Sequence, residues 1–130
     1  MTGHRPRPQA SADGTQLTPT ILVAVVGSST EADHAIAAGA DMIDGSGLSG
    51  QAVAAIRARH PGTRLWAGSP AVADVEGESP AAVVATAAVL AWLGTAAIRT
   101  RHVLPVRRAI DMTCAIAGTR LPALTTRGLA

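Results

Sequence analysis

The chain has 130 residues, of which 11 are basic and 9 acidic, so its formal charge is only +2. Two Trp, no Phe or Tyr and no concentrated basic patch argue against a nucleic-acid-binding protein. The single cysteine, Cys114, excludes an internal disulfide and an all-cysteine metal site, and it is typical of a protein of the reducing cytoplasm.

Both ends of the chain lack a periodic pattern. Residues 1–17 have the polar, proline- and glycine-bearing composition of a disordered arm, and residues 119–130 form an irregular tail. The arm lacks the apolar segment of a secretory signal, and the longest apolar run, residues 81–93, is too short for a membrane span. We therefore expect one cytoplasmic domain over residues 18–118, with no membrane partner.

The first half of this domain alternates apolar runs with helical patterns. The predicted elements are a strand at 21–26, a helix at 30–39, a strand at 40–44 and a helix at 48–60. Residues 21–26 form an uninterrupted, β-branched run, which is typical of a strand buried on both faces. Thr30, with Asp33 three positions later, is the predicted cap of the first helix.

The second half continues the alternation after a long connection. The predicted elements are a strand at 63–67, an acidic loop at 68–78, a helix at 81–93, a strand at 96–100 and a helix at 105–118. Ser79 followed by Pro80 is a strong signal for a helix start, because serine caps the helix and proline suits its first turn.

A strand followed by a helix thus occurs four times, which predicts an α/β fold of four βα units with parallel strands. A complete eight-stranded parallel barrel takes about 250 residues, so this chain has material for a half-barrel or for an open parallel sheet. A half-barrel leaves a flank that another chain must cover, so we expect a homodimer or association with a homologue.

In either architecture, ligands gather at the carboxyl ends of the strands. Gly- and Ser-rich turns follow the predicted strands there, and they either bind an anion through backbone N–H groups or serve only as tight turns and helix caps. No pattern of a catalytic triad, a dinucleotide-binding loop or a phosphate-binding loop is present, and no catalytic residue is predicted.

Four residues at these turns are the predicted substrate-binding set: Asp44, Ser69, Arg99 and His102. Asp44 ends a strand, where its carboxylate can accept hydrogen bonds from a heterocycle or cap the next helix in an Asx turn. Arg99 can bind phosphate, stack on an aromatic ring or form a surface ion pair. His102 follows Arg101, whose charge favours a neutral imidazole that contacts an anion; the alternative is a solvated loop histidine.

Two segments resemble a known family. The segment SPAAVVATAAVLAWLGTAAIRTRHVLPVRRAIDM, from Ser79 to Met112, is similar to the C-terminal end of dihydropteroate synthase, where a strand ends in R-x-H before the last helix. The segment HAIAAGADMIDGSG, from His34 to Gly47, is similar to the family's A-G-A-x-I-I-D motif. The resemblance covers about residues 20–117, with about half of the family's barrel missing. The C-terminal segment GTRLPALTTRGLA also resembles the divergent actinobacterial paralogues of the enzyme, so the chain is similar to a truncated paralogue of that type.

The resemblance implies a partial TIM barrel of the folate biosynthesis lineage that binds a pterin diphosphate at the carboxyl ends of its strands. Asp44 matches the family position that binds the pterin ring, and Arg99 matches the arginine of the last-strand motif. Other family residues are replaced: Ala71 stands in place of a lysine, Arg101 in place of the histidine, and Gly27 in place of an aspartate.

The loop that organises Mg²⁺ and diphosphate in the family is also absent, so no cofactor is expected apart from Mg²⁺ accompanying a diphosphate substrate. Each replaced residue removes a contact worth about 1–3 kcal/mol to a buried ligand, so transferase activity is not the expected function. Pterin binding is the main hypothesis, and a non-catalytic partner of a full-length homologue is the alternative.

Overall fold

Five strands and four helices alternate along residues 20–68, 72–77 and 79–118, which are the residues that the computed structural model describes. The strands are β1 (Ile21–Val25), β2 (Met42–Asp44), β3 (Arg64–Leu65), β4 (Val72–Asp74) and β5 (Ala97–Thr100). The helices are α1 (Ser29–Ala37), α2 (Gly50–Arg59), α3 (Pro80–Trp92) and α4 (Val103–Ala117). The α/β class is confirmed, and the predicted arm and tail lie outside the described residues.

The β4 strand corrects the expectation of a single long loop at residues 68–78. β4 pairs in parallel with β5, with Val72 opposite Ala97 and Asp74 opposite Arg99. Its three residues include only two apolar ones, beside glycine, proline and acidic residues, so a periodic pattern cannot develop. The strand is therefore specified by its pairing with β5.

Serine hydroxyls begin three of the four described helices. The capping serines are Ser28, Ser49 and Ser79, each accepting a hydrogen bond from the N–H three residues later. At α1, the Glu31 carboxylate also accepts the N–H of Gly27, the residue before the cap, at 2.7 Å, so the side chain in the first turn reaches back to the chain that enters the helix. Thr30 is therefore not the cap, whereas the predicted helix start at Ser79 is confirmed.

The sheet is entirely parallel, in the order β3-β2-β1-β5-β4. β1 therefore lies in the centre of the sheet, beside β5, the last strand of the described ranges. The connections from β1 to β2, from β2 to β3 and from β4 to β5 all step in the same direction across the sheet. Because such crossovers are right-handed, they place their helices on the same face.

The hydrophobic core lies between this face and all four helices. Strand residues that alternate along the chain, such as Leu22, Ala24, Ile43 and Ile98, form one buried cluster with side chains from every helix. The helix members of that cluster are Ala32, Ala35, Ile56, Val83, Ala87, Ala91, Val103, Val106, Ala109, Ile110 and Cys114. Small side chains dominate on α3, so the helix can lie close to its neighbour α4.

The intervening strand residues face the other way. Register and alternation put Val23, Asp44, Asp74 and Arg99 on this second surface, which we call the open face. The name refers to the lack of described helices there, since Val23 and Asp44 are themselves buried. No helix in the described ranges contributes to a core there. A doubly wound sheet would carry helices on both faces, so helices on one side only are compatible with a sector of a parallel barrel or with a singly covered open sheet.

The amino end of the sheet is fastened by a second arginine. Arg107 donates from Nη1 to the carbonyl of Gly39 and to Asp41 Oδ2, both at 3.0 Å. Asp41 Oδ2 also accepts the N–H of Leu22 at 2.8 Å. These contacts join the end of α1, the start of β2, the β1 strand and α4 in one polar network.

The α3 helix is apolar and contains no charged side chain. It is only 13 residues long. Within the described ranges, no helix combines the length and the apolar character that crossing a bilayer requires.

We expect Gly39→Ala to destabilise the fold. Gly39 has φ +104°, and an added Cβ would lie 2.7 Å from the Arg107 side chain. The strained backbone alone should lower the free energy of unfolding by about 1–3 kcal/mol, and urea denaturation measures this loss. Gly50→Ala is the matched control, because Gly50 is helical with no neighbour within 4 Å of an added Cβ. That variant should be as stable as the wild type or more so, and equal losses in both would contradict this account.

Candidate functional site

Charged side chains meet on the open face where the strands end. Asp44 is the last residue of β2, Asp74 is the last residue of β4, and Arg99 is the penultimate residue of β5. Since β1 lies between β5 and β2, the Arg99 side chain crosses β1 to reach Asp44. Residues from three separate strands are thereby joined at the edge where parallel sheets bind ligands.

Arg99 forms three hydrogen bonds to carboxylates. Its Nε and Nη2 atoms donate to the two oxygens of Asp74 at 2.6 and 3.0 Å, which is a bidentate pair. Its Nη1 atom donates to Asp44 Oδ2 at 3.2 Å. The guanidinium is therefore fixed chiefly by its neighbour Asp74, and more loosely by Asp44 on the far side of β1.

Trp66 adds an aromatic surface to this group. The guanidinium carbon of Arg99 lies 4.7 Å from the centre of the indole ring, which is the distance of a cation–π contact. Trp66 follows β3, and its backbone N–H donates to the carbonyl of Ile43 at 2.8 Å. We call Asp44, Trp66, Asp74 and Arg99 the carboxyl-end cluster.

Asp44 is the buried member of this cluster. Its side chain is 5% exposed, compared with 28% for Arg99 and 56% for Asp74. Asp44 Oδ1 accepts the N–H of Ser46 at 3.0 Å, while Oδ2 accepts from Arg99. Asp44 therefore forms the Asx turn that the sequence predicts as one of its two roles. Its second oxygen is at the same time bonded to Arg99 in an ion pair.

The ion pair between Arg99 and Asp74 changes the acidity of both groups. Hydrogen bonds from the guanidinium lower the pKa of Asp74 below its ordinary value, against a small opposing effect of burial. The hydrogen bonds and charge of Asp74, and then the charge of Asp44, raise the pKa of Arg99. The pair is therefore held in its charged form over the whole physiological range.

The other two predicted binding residues are not part of the cluster. His102 occupies the N-cap position of α4, with its amide N–H bonded to the hydroxyl of Thr100. Its imidazole Nε2 lies 3.7 Å from Glu76 Oε1, and the side chain is 40% exposed. Ser69 lies outside the described residues, so its prediction stays untested.

Two members of the cluster are missing from the sequence-based set. Asp74 belongs to a segment that is expected to be a loop, and Trp66 carries no motif of its own. A usable signal existed for Trp66, because it lies at the end of a predicted strand, at the edge where Asp44 and Arg99 are expected. For Asp74 there was none, since its partner Arg99 is 25 residues away in sequence.

A separate cleft of about 310 Å³ lies between α1 and the start of α4. Its polar lining comes from Glu31, His34 and Arg101, and it contains no residue of the carboxyl-end cluster. The Glu31 carboxylate already caps α1, so it is committed to a structural role.

The described residues do not form a metal site. No three His, Cys, Asp or Glu side chains among them are grouped so that they could hold a metal ion. Asp44 and Asp74 instead direct their oxygens at Arg99. A metal ion held by protein side chains alone therefore has no site among the described residues.

Comparison of the chain with models of protein families, with curated proteins and with solved structures gave no match.

The lowered pKa of Asp74 predicts a specific acid sensitivity. A carboxylate whose pKa is lowered on folding contributes stability above its unfolded pKa, 3.8 for aspartate, and this contribution is lost as the pH falls through the folded value. We expect Asp74→Asn to be less stable than the wild type near pH 6, and the difference to close by about pH 2. Thermal unfolding, followed by circular dichroism at each pH, measures the stability of the wild type and of Asp74→Asn.

The control for this prediction is ionic strength. Since Asp74 is more than half exposed, about 1 M NaCl should screen the pair and shrink the difference near pH 6. A difference between wild type and Asp74→Asn that is the same at every pH would contradict the assignment of the ion pair.

Proposed function

We propose that this protein binds a planar heterocycle of the pterin class at the carboxyl-end cluster, as a member of the dihydropteroate synthase lineage of folate biosynthesis that its sequence resembles. The observation that carries the proposal is the contact between Arg99 Nη1 and the buried Asp44 Oδ2, 3.2 Å apart across β1. It unites the two residues that match the family's motifs, although 55 residues separate them in sequence.

The Asp44 carboxylate has acceptor capacity to spare. An ionised carboxylate offers about four acceptor sites, and Asp44 uses one on each oxygen. A pterin ring carries an exocyclic amine beside a ring N–H, and two such donors match the two oxygens of one carboxylate. A buried carboxylate also discriminates well, because a ligand without those donors would leave it unpaired.

Trp66 and Arg99 supply planar surfaces for the same ligand. Indole and guanidinium are both flat, and both stack on heteroaromatic rings. Their contact at 4.7 Å places these planes beside Asp44, so one ligand can stack and hydrogen-bond at once.

The ligand can reach Asp44 by replacing one hydrogen bond. The bond from Arg99 to Asp44 is the longest of the three that hold the guanidinium, at 3.2 Å, whereas Asp74 holds it by two shorter ones. Donors on the ligand can therefore take the place of Nη1 at Asp44 while Arg99 stays on Asp74. The ligand would approach past Arg99 and Asp74, which are partly exposed, because the Asp44 carboxylate itself is buried.

Binding, rather than group transfer, is the activity proposed here. The lysine and the histidine of the family's motifs are replaced here by Ala71 and Arg101, and Gly27 stands where the resemblance places a pterin-binding aspartate. The pterin contact proposed for this chain therefore depends on Asp44. Without a described metal site, no step through a diphosphate-bound Mg²⁺ is assigned to this chain.

We expect hydroxymethylpterin to bind the wild type in a calorimetric titration and Asp44→Asn to weaken that binding at least about tenfold, since a hydrogen bond to a charged group is worth about 1.5–3 kcal/mol. Asparagine keeps the acceptor for the Ser46 N–H, so the turn after β2 is preserved. Asp33→Asn is the matched control, because Asp33 pairs with Arg59 and His60 in the helical layer. Equal affinity in Asp44→Asn, or no binding by folded wild type, would refute the proposal.

Association with another chain is the second candidate function. The observation that favours it is the edge position of β3 and β4, together with the absence of described helices from the open face. Strand edges and an uncovered sheet face are surfaces that a second copy or a longer homologue can cover.

Light scattering after size exclusion tests this second candidate. We expect the chain to elute as a dimer, or to form a complex when it is mixed with a full-length dihydropteroate synthase. A monomer that ignores the added enzyme would contradict association and leave pterin binding as the single proposal.

A further inference from the structure

The contacts of Arg99 also determine which form of the ligand the site accepts, an inference that rests on the proposed function. An arginine has five N–H donors. Three of those on Arg99 are bonded to the carboxylates of Asp74 and Asp44. The positive charge that could have anchored a phosphate is therefore already paired, and most tightly with Asp74.

The charge balance of the cluster is negative. Two carboxylates, Asp44 and Asp74, surround the one guanidinium, which leaves a net charge of −1 when all three are ionised. The low pKa of Asp74 and the high pKa of Arg99 keep these two groups charged at neutral pH.

Two other basic side chains of the β5–α4 segment, those of His102 and Arg101, lie outside the carboxyl-end cluster. His102 faces Glu76 at 3.7 Å, so a proton on its imidazole is matched by that carboxylate. Arg101 lines the separate cleft between α1 and α4. Within the carboxyl-end cluster itself, Arg99 is the single cation, and it is paired with Asp74 and Asp44.

We propose that the site selects an uncharged heterocycle over its phosphate and diphosphate esters, and that Asp74 is the residue that sets this specificity. A phosphorylated ligand would either meet the net negative charge or have to separate Arg99 from its bidentate partner. An uncharged ligand replaces only the longer hydrogen bond to Asp44 and leaves the pair of Arg99 and Asp74 intact.

This specificity is the opposite of the preference that the family resemblance implies, and it follows from a residue outside the family's motifs. In the family, a pterin diphosphate is the substrate. Here Asp74, brought beside Arg99 by the pairing of β4 with β5, converts an anion-binding arginine into a neutralised, stacked one. Such a site would bind the free heterocycle rather than its ester.

The test compares hydroxymethylpterin with its diphosphate ester as ligands for the wild type and for Asp74→Asn. We expect the wild type to bind the uncharged compound at least about tenfold more tightly. In Asp74→Asn, Arg99 loses its bidentate anionic partner and the cluster loses one negative charge, so the ratio of the two affinities should move at least about tenfold toward the ester. Asp33→Asn removes one negative charge elsewhere and should leave the ratio unchanged.

A salt series on the wild type checks the same point without any substitution. Between about 50 and 500 mM NaCl, affinity for the uncharged compound should stay constant, while affinity for the ester should rise as the repulsion is screened. A fall in the affinity for the ester would identify a net attractive site and overturn the inference.

The outcomes separate the inference from the proposed function. Tighter binding of the ester by the wild type, or an unchanged ratio in Asp74→Asn, overturns the specificity and leaves pterin binding standing. Binding of neither compound by folded wild type refutes the proposed function, and the inference falls with it.

Discussion

The Arg99 guanidinium is the interaction on which the carboxyl end of this protein depends. It starts on β5, is held by two hydrogen bonds to Asp74 on β4, and crosses β1 to Asp44 on β2, with Trp66 beneath it. One cation thereby links strands on both sides of the central one. A buried carboxylate would be costly if left unpaired, so the same contact that shapes the site also makes burial of Asp44 tolerable. The proposed specificity depends on the same contact, because a ligand that takes the place of Arg99 at Asp44 Oδ2 would have to supply its own donor there.

This arrangement depends in turn on the path of the chain. β1 occupies the centre of the sheet, and the three connections that contain α1, α2 and α3 step in one direction across it. These helices therefore lie on one face, and the charged residues of the carboxyl-end cluster lie on the other. A doubly wound path would have placed a helix over Arg99. The amino end is organised by similar means, since Arg107 joins Asp41 and the carbonyl of Gly39 under the start of β2. Two arginine networks thus fasten opposite ends of the sheet.

Most of the fold could be predicted because its signals are local. The β-branched run of β1 and the Ser79-Pro80 start of α3 lie within single elements, and both are found where expected. The cap of α1 is a near miss, because Ser28, Ser29 and Thr30 are adjacent hydroxyl residues and only the contact of Glu31 with Gly27 selects Ser28. The β4 strand could not be predicted, since three residues are too few for a period to appear.

For the site, the residue types and their approximate edge of the sheet were determined by the sequence alone. A carboxylate at the end of one apolar run and an arginine at the end of another are local facts, and parallel strands bring such ends to one edge. Only the tertiary structure decided that Asp44 and Arg99 touch, and that Asp74 and Trp66 join them. The reason is that strand order is a long-range property: β5 lies beside β1, and β4 beside β5, through hydrogen bonds between segments that are distant in sequence. The charge of the arginine could be read from the chain, but the partners that neutralise it could not.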